Sequence, residues 1–337
     1  MIRKKYNLNK RNWKKIILIQ LFFVLTNIFY YLNNKKYNNI DFDLVIPIGQ
    51  NHINLFNKHK KFYDKYLSHK NIIIISQSNT ELLLEKDSSI IFINEDTLIS
   101  KAKINKFLKE KRNITTNRVG WYKQQFVKML YARICKKEYY LIWDCDTIPI
   151  KSIQMFEKKK PFFDMRILKL FPYFRTLNKI IPGLKYSNLS FVTEHQMIKT
   201  KYMKNLIENI ERNDKLEGKF FWEKILMAIE FRYICSVGFS EYETYGSFVE
   251  TRYPNSYIIR NWSSLRIARK FYGNIDNLEE KDINWLSKDF YALSFEKWCS
   301  FDRKKLEIVK NVEFQKKYKP IQFLYNFNKI FGKHKKI

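Results

Sequence analysis

Tyr139-Tyr140-Leu141-Ile142-Trp143-Asp144-Cys145-Asp146-Thr147-Ile148-Pro149-Ile150 is the stretch that decides the fold. Its first five residues are largely apolar, the signature of a strand buried on both faces, and the run stops at two aspartates one residue apart. Open α/β sheets bind ligands just past the carboxyl ends of their strands. Two carboxylates there supply hard oxygen ligands suited to Mg²⁺ or Mn²⁺, ions that also bind substrate phosphates. The plainer reading makes Asp144 and Asp146 turn residues ahead of Pro149. The surroundings have to separate the two.

Working outward, three earlier runs read as buried strands: Leu44–Ile48, Asn71–Ser76 and Ile90–Ile93. Helical character lies between them and after them, over His52–Leu67, Thr97–Lys109 and Trp121–Lys136, the last with Tyr122, Phe126, Met129, Leu130 and Ile134 on one stripe. Strands alternating with helices describe an α/β fold: a mostly parallel sheet with helices on both faces. The helix entering the Asp144 strand starts at the same sheet edge as Asp144. Gly120, Lys123 and Gln124 are therefore expected to face the carboxylates, with the helix N-terminus open to a phosphate and Lys128 one turn further on. After Pro161 the alternation weakens into a mixed α+β half, with strand-like Phe162–Leu168 and Leu189–Val192 and helical Met197–Arg212 and Phe220–Phe231.

The 337 residues carry a net charge of +30, which calls for an acidic partner such as phosphate, anionic lipid or nucleic acid unless it reflects a Lys-, Asn- and Ile-rich base composition. An aromatic fraction of 17% argues against disorder despite that charge. Cys135, Cys145, Cys235 and Cys299 form no CxxC pair, so neither zinc nor a disulfide framework is indicated. Ile16–Leu32 runs seventeen residues without a charge behind a basic head. It reads as an uncleaved single-pass membrane anchor with the N-terminus cytoplasmic; a peripheral enzyme on the cytoplasmic membrane face is the alternative. The chain divides into residues 1–40 (basic head, anchor, linker), a domain over 41–300, and a basic tail over 301–337.

Neither GxGxxG nor GxxxxGK[ST] is present, so a bound nucleotide must be held by metal and side chains. The strand-end DxD resembles that of glycosyltransferases with the A-type (GT-A) fold. Four segments are similar to an uncharacterised bacterial family linked to capsule or lipopolysaccharide gene clusters: Gly120–Gln125, Leu141–Thr147, Ser190–His195 and Ser240–Gly246. They place about residues 43–265 in it. The resemblance implies a nucleotide-sugar donor site from Pro47, Lys123, Gln124, Asp144 and Asp146, with Mn²⁺ or Mg²⁺. The acceptor, a glycan or lipid-linked sugar, then lies against Phe191–His195 and Ser240–Gly246. His195 is read as a third metal ligand or diphosphate contact, or else as a hydrogen-bonded strand-end histidine.

An inverting transfer also needs a base for the acceptor hydroxyl. Ser240 with Glu243 three residues on is a capping box, which leaves Glu241 in the first turn as the catalytic carboxylate. Two competing functions remain. A haloacid-dehalogenase-type phosphatase also opens with DxD, but near its domain's start and with Thr or Val where Ile148 stands here. A basic nucleic-acid or membrane-surface binder rests on charge alone, and no nucleic-acid module appears, so no specific nucleic acid is expected.

Overall fold

The computed structural model describes residues 40–167, 170–185, 187 and 189–323. Four strands lie parallel: β1 Phe42–Pro47, β2 Ile72–Ser76, β3 Ile90–Asn94 and β4 Tyr139–Trp143. β1, β2 and β4 are buried at every position because helices cover both faces, and β3 is the half-exposed edge. Side chains alternate between two cores as a period of two demands. Leu44, Ile46, Ile72, Ile74, Leu141 and Trp143 face helix α1, Ile53–Tyr66, through Ile53, Phe56 and Tyr63. Val45, Ile73, Ile75, Tyr140 and Ile142 face the other side.

The expected Thr97–Lys109 helix is two, α2 Glu95–Leu98 and α3 Lys101–Arg112, broken where the Ser100 side chain caps the second by accepting from the Lys103 N–H. The long helix α4 spans Val119–Ile134. β5 Thr147–Pro149 leaves the carboxylate loop, and β6 Phe156–Glu157 and β7 Lys160–Met165 form a small hairpin. Helix α5 Phe171–Ile180 follows. β8 His195–Lys199 then returns antiparallel to β4 and completes the sheet order β3-β2-β1-β4-β8. Helices α6 Thr200–Glu211, α7 Phe221–Ala228 and α8 Glu241–Arg252 pack on the Val45 face. β9 Ile258–Asn261 pairs with β7, while β10 Ser264–Leu265 and β11 Ala292–Ser294 join β5. A third core gathers Ile148, Leu265, Phe271 and Trp285, and residues expected in a basic tail join it through Val309 and Phe323.

From β1 the chain runs outward through β2 to β3, then crosses back to place β4 on β1's other side. The β1/β4 boundary is thus the topological switch point, and Asp144 follows β4 directly there. The expected single-pass placement is corrected. Among the described residues no helix is long and apolar enough to cross a membrane, and Ile16–Leu32 itself lies outside them.

Candidate active site

The loop after β4 is held by its backbone. Asp144 N–H donates to the Glu194 carbonyl at 2.9 Å, and Thr147 N–H closes the turn on the Asp144 carbonyl at 3.0 Å. Glu194 presents that carbonyl from a left-handed conformation, φ +59°. From below, His59 Nδ1 donates to the Cys145 carbonyl at 3.0 Å, and the Thr147 carbonyl accepts from Trp143 Nε1 at 2.8 Å and Tyr63 OH at 3.1 Å. Phe295 N–H holds the Asp146 carbonyl at 2.8 Å. The turn therefore does not need the aspartate side chains as caps; neither carboxylate has a backbone N–H donor among the described residues.

Asp144 Oδ1 accepts from Lys128 Nζ at 2.7 Å and from Tyr242 OH at 3.0 Å, which leaves Oδ2 without a donor among the described residues. The same ammonium lies 2.7 Å from Glu241 Oε1. Among the described residues, Asp146 receives only a long 3.3 Å bond from Thr147 Oγ1. Burial, then the like charges of Asp144, Glu296 and Glu194, push its carboxyl up to about 7. Glu194 is neutralised by Arg166 at 2.7 Å and Arg266 at 3.0 Å, with Trp262 Nε1 donating at 2.8 Å; Arg266 also holds Glu296 at 2.6 Å. When ionised, Asp146 thus carries a charge that no side-chain cation meets among the described residues.

The sequence-predicted residues separate. Pro47 ends β1 beside the switch point, with its backbone opposite Ile75. Lys123 does not face the aspartates; it is buried against Glu95 at 2.7 Å and Asp96 at 2.6 Å at the start of α2. Five residues of helix rise about 7.5 Å, so α4 starts beyond the sheet edge and Lys128, not Lys123, comes level with Asp144. Gln124 is half-buried on α4, one turn before Lys128.

His195 is corrected as a metal ligand. Its Nδ1 faces the Thr193 carbonyl at 2.9 Å and its Nε2 faces Asp164 Oδ2 at 2.8 Å, so both ring nitrogens are already engaged by protein oxygens. Asp164 is itself held well below the usual carboxylate range by Arg260 despite its burial. Glu241 reaches the site from beneath, 4% exposed and paired with Lys128, not free toward an acceptor; burial raises its carboxyl. Ser240 caps α8 as expected, accepting from Glu243 N–H. The Glu243 carboxylate, however, accepts from Ser190 Oγ at 2.6 Å and Phe191 N–H at 3.2 Å and does not close the box.

The donor set suits a hard divalent cation: carboxylate oxygens, one of them uncompensated, and no thiolate or free imidazole. Among the described residues no group of three or more His, Cys, Asp or Glu side chains is placed to hold a metal. A cation on Asp144 and Asp146 would complete its shell from substrate oxygens and water, as Mg²⁺ commonly does.

No curated protein matches the sequence. Among solved structures, an active-site mutant of LgtC aligns at 10% identity and a TM-score of 0.40, covering 81% of this chain and 99% of that one. Mouse xyloside xylosyltransferase 1 aligns at 10% identity and a TM-score of 0.36, covering 76% and 98%. The glycosyltransferase GlyE of Streptococcus pneumoniae TIGR4, in its apo form, aligns at 13% identity and a TM-score of 0.33, covering 88% of this chain and 64% of its own. Likeness at this level reaches neither activity nor substrate. A family model does match, over residues 49–304, which takes in the whole carboxylate site: the chain belongs to the family of unknown function DUF6492.

Proposed function

We propose that the protein is a metal-dependent glycosyltransferase that moves a sugar from a nucleotide-diphosphate donor to a glycan or lipid-linked acceptor. The observation that carries this is the Asp144/Asp146 pair, one of the two uncompensated, on a backbone-locked loop at the sheet's switch point. A chain without a glycine-rich phosphate cradle needs a cation to receive a diphosphate there.

Asp144, through Oδ2, and Asp146 are the residues that would hold Mn²⁺ or Mg²⁺. The ion supplies charge neutralisation of the departing nucleoside diphosphate. His59, Tyr63 and Trp143 fix the loop carbonyls, so the carboxylates are presented without reorganisation. Arg166 and Arg266, by neutralising Glu194 and Glu296, keep further negative charge away from the arriving phosphates.

The test is a panel of nucleotide sugars incubated with the protein, with Mn²⁺ or with EDTA. Nucleoside diphosphate should appear only with the metal, while p-nitrophenyl phosphate stays intact. Phosphate release from the latter with no nucleotide-sugar turnover would make the protein a phosphatase.

A further inference from the structure

Lys128 is the least expected charge in the molecule: an ammonium 4% exposed, between two carboxylates and beneath the loop. Its donors go to Asp144 Oδ1 at 2.7 Å, Glu241 Oε1 at 2.7 Å and Tyr242 OH at 3.1 Å, which uses all three. Tyr242 OH in turn donates to Asp144 at 3.0 Å, and the Lys128 ammonium lies 4.4 Å over the Tyr242 ring. α8 is tied to α4 a second time, where Glu241 N–H donates to Gln125 Oε1 at 3.2 Å. The arrangement is rigid, buried and shared by two helices.

Its charges are informative. Lys128 alone would cancel Asp144 and leave the aspartate pair with one negative charge. Glu241, on the far side of the ammonium, cancels Lys128 instead, so that Asp144 and Asp146 together present two once both are ionised. Glu194 and Glu296 are matched by Arg166 and Arg266 and do not change the balance. Two negative charges on hard oxygens complement one divalent cation.

We infer that Glu241 is a positioning residue for the cation: acting through Lys128, it fixes Asp144 by Oδ1, turns Oδ2 outward and returns to the aspartate pair the charge a divalent ion needs. This rests on the metal-dependent reading above. It replaces the catalytic base expected at Glu241 with a group that never touches substrate.

The experiment is calorimetric titration of Mn²⁺ alone into the full chain, with the thermal midpoint of each variant measured alongside. Glu241→Gln keeps the shape and one acceptor for Lys128 but removes the charge. Its Mn²⁺ dissociation constant should rise on the order of tenfold or more, since a unit charge within several ångströms of a divalent ion in a partly buried site matters at that level. Glu243→Gln, on the same helix but bonded to Ser190, should change the midpoint and leave Mn²⁺ affinity within about threefold, a range under 1 kcal/mol. A Glu241→Gln affinity within twofold of wild type overturns the inference and leaves the metal reading standing. A wild-type chain that takes up no Mn²⁺ overturns both. If Glu241→Gln does not fold, the double substitution Lys128→Met/Glu241→Gln removes a neutral pair. It restores the charge of the aspartate pair but leaves Asp144 Oδ1 held by Tyr242 OH alone, so Mn²⁺ affinity should fall by less than about tenfold, and loss of binding there overturns the inference.

Discussion

Gly246→Ala should destabilise the protein, although alanine is the better helix former. Gly246 sits mid-helix in α8, where Gly→Ala ordinarily gains up to about 1 kcal/mol. Here a Cβ would fall 2.1 Å from Cγ of Phe191 and 2.4 and 2.6 Å from its Cδ atoms. To reach an ordinary 3.4 Å contact the ring must retreat by more than an ångström. It has nowhere empty to go: Phe191 is 0% exposed and stands edge-on to Phe163 at 5.9 Å. Overpacking of this kind costs about 1–3 kcal/mol, and three ring atoms in hard contact put it at the upper end. Set against the helix gain, the net loss is about 2 kcal/mol, or a Tm lower by roughly 4–8 °C in a domain of this order of size. The control is Gly120→Ala in α4, exposed and with nothing within 4 Å of the added carbon, which should be neutral or gain up to about 1 kcal/mol. Thermal and urea unfolding of both variants read the difference directly. Gly246→Ala as stable as Gly120→Ala would refute the claim that α8 lies backbone-to-ring on Phe191.

Glu243→Gln should cost about 1 kcal/mol, because an ionised acceptor of two bonds becomes a neutral one; Glu243→Ala should cost about 3 kcal/mol, because the buried Phe191 N–H then loses its partner. Urea melts in which the two cost the same would place Glu243 back in a simple helix cap. His59 is neutral in the fold, burial holding its imidazole at about 4 against 6.5 when unfolded. Between those values the unfolded chain binds the extra proton, so stability is whole above pH 6.5 and falls as pH drops toward 4, by up to roughly 3 kcal/mol from this group. His59→Phe should be less stable at pH 7, having lost the bond to the Cys145 carbonyl, yet show a shallower decline with acid. Parallel stability–pH curves for the two proteins would remove His59 as the cause.

The first half of the fold was legible because parallel strands covered on both faces must be apolar at every position. Ile72–Ile75 and Tyr139–Trp143 say so without help from their neighbours. The carboxylate pair was legible for the same reason, since charge stops such a strand where water returns. β8 was not: His195–Lys199 runs straight into α6 and reads as the helix's own first turn. The choice between Lys123 and Lys128 turned on how far α4 overhangs the sheet edge, a length set by packing and not by periodicity. His195 looked like a ligand until Asp164, from a strand 31 residues earlier, took its Nε2. Arg166 lies in the strand-like run Phe162–Leu168, while Arg266 and Glu296 come from short, irregular stretches, and no periodicity aims any of the three at the carboxylate loop. The segments Ser190–His195 and Ser240–Gly246 stood out as a pair, and the structure gives the reason. They close on each other through Phe191 on Gly246 and Ser190 on Glu243, and they carry the carbonyl that receives Asp144 N–H.

The central claim is that Asp144 and Asp146 hold a divalent cation for nucleotide-sugar chemistry, and Asp146→Asn tests it most directly. The substitution conserves shape and removes a carboxylate that contributes little to the core, so folding should survive. Release of nucleoside diphosphate from the donor that wild type turns over should be measured in saturating Mn²⁺. A metal's charge stabilisation is worth several kcal/mol, at 1.36 kcal/mol per factor of ten. A fall of roughly 10²-fold or more is therefore expected, in a protein that melts no lower than wild type because the substitution also relieves a buried, repelled carboxylate. Wild-type turnover by Asp146→Asn, or by the wild-type chain in EDTA, would contradict it.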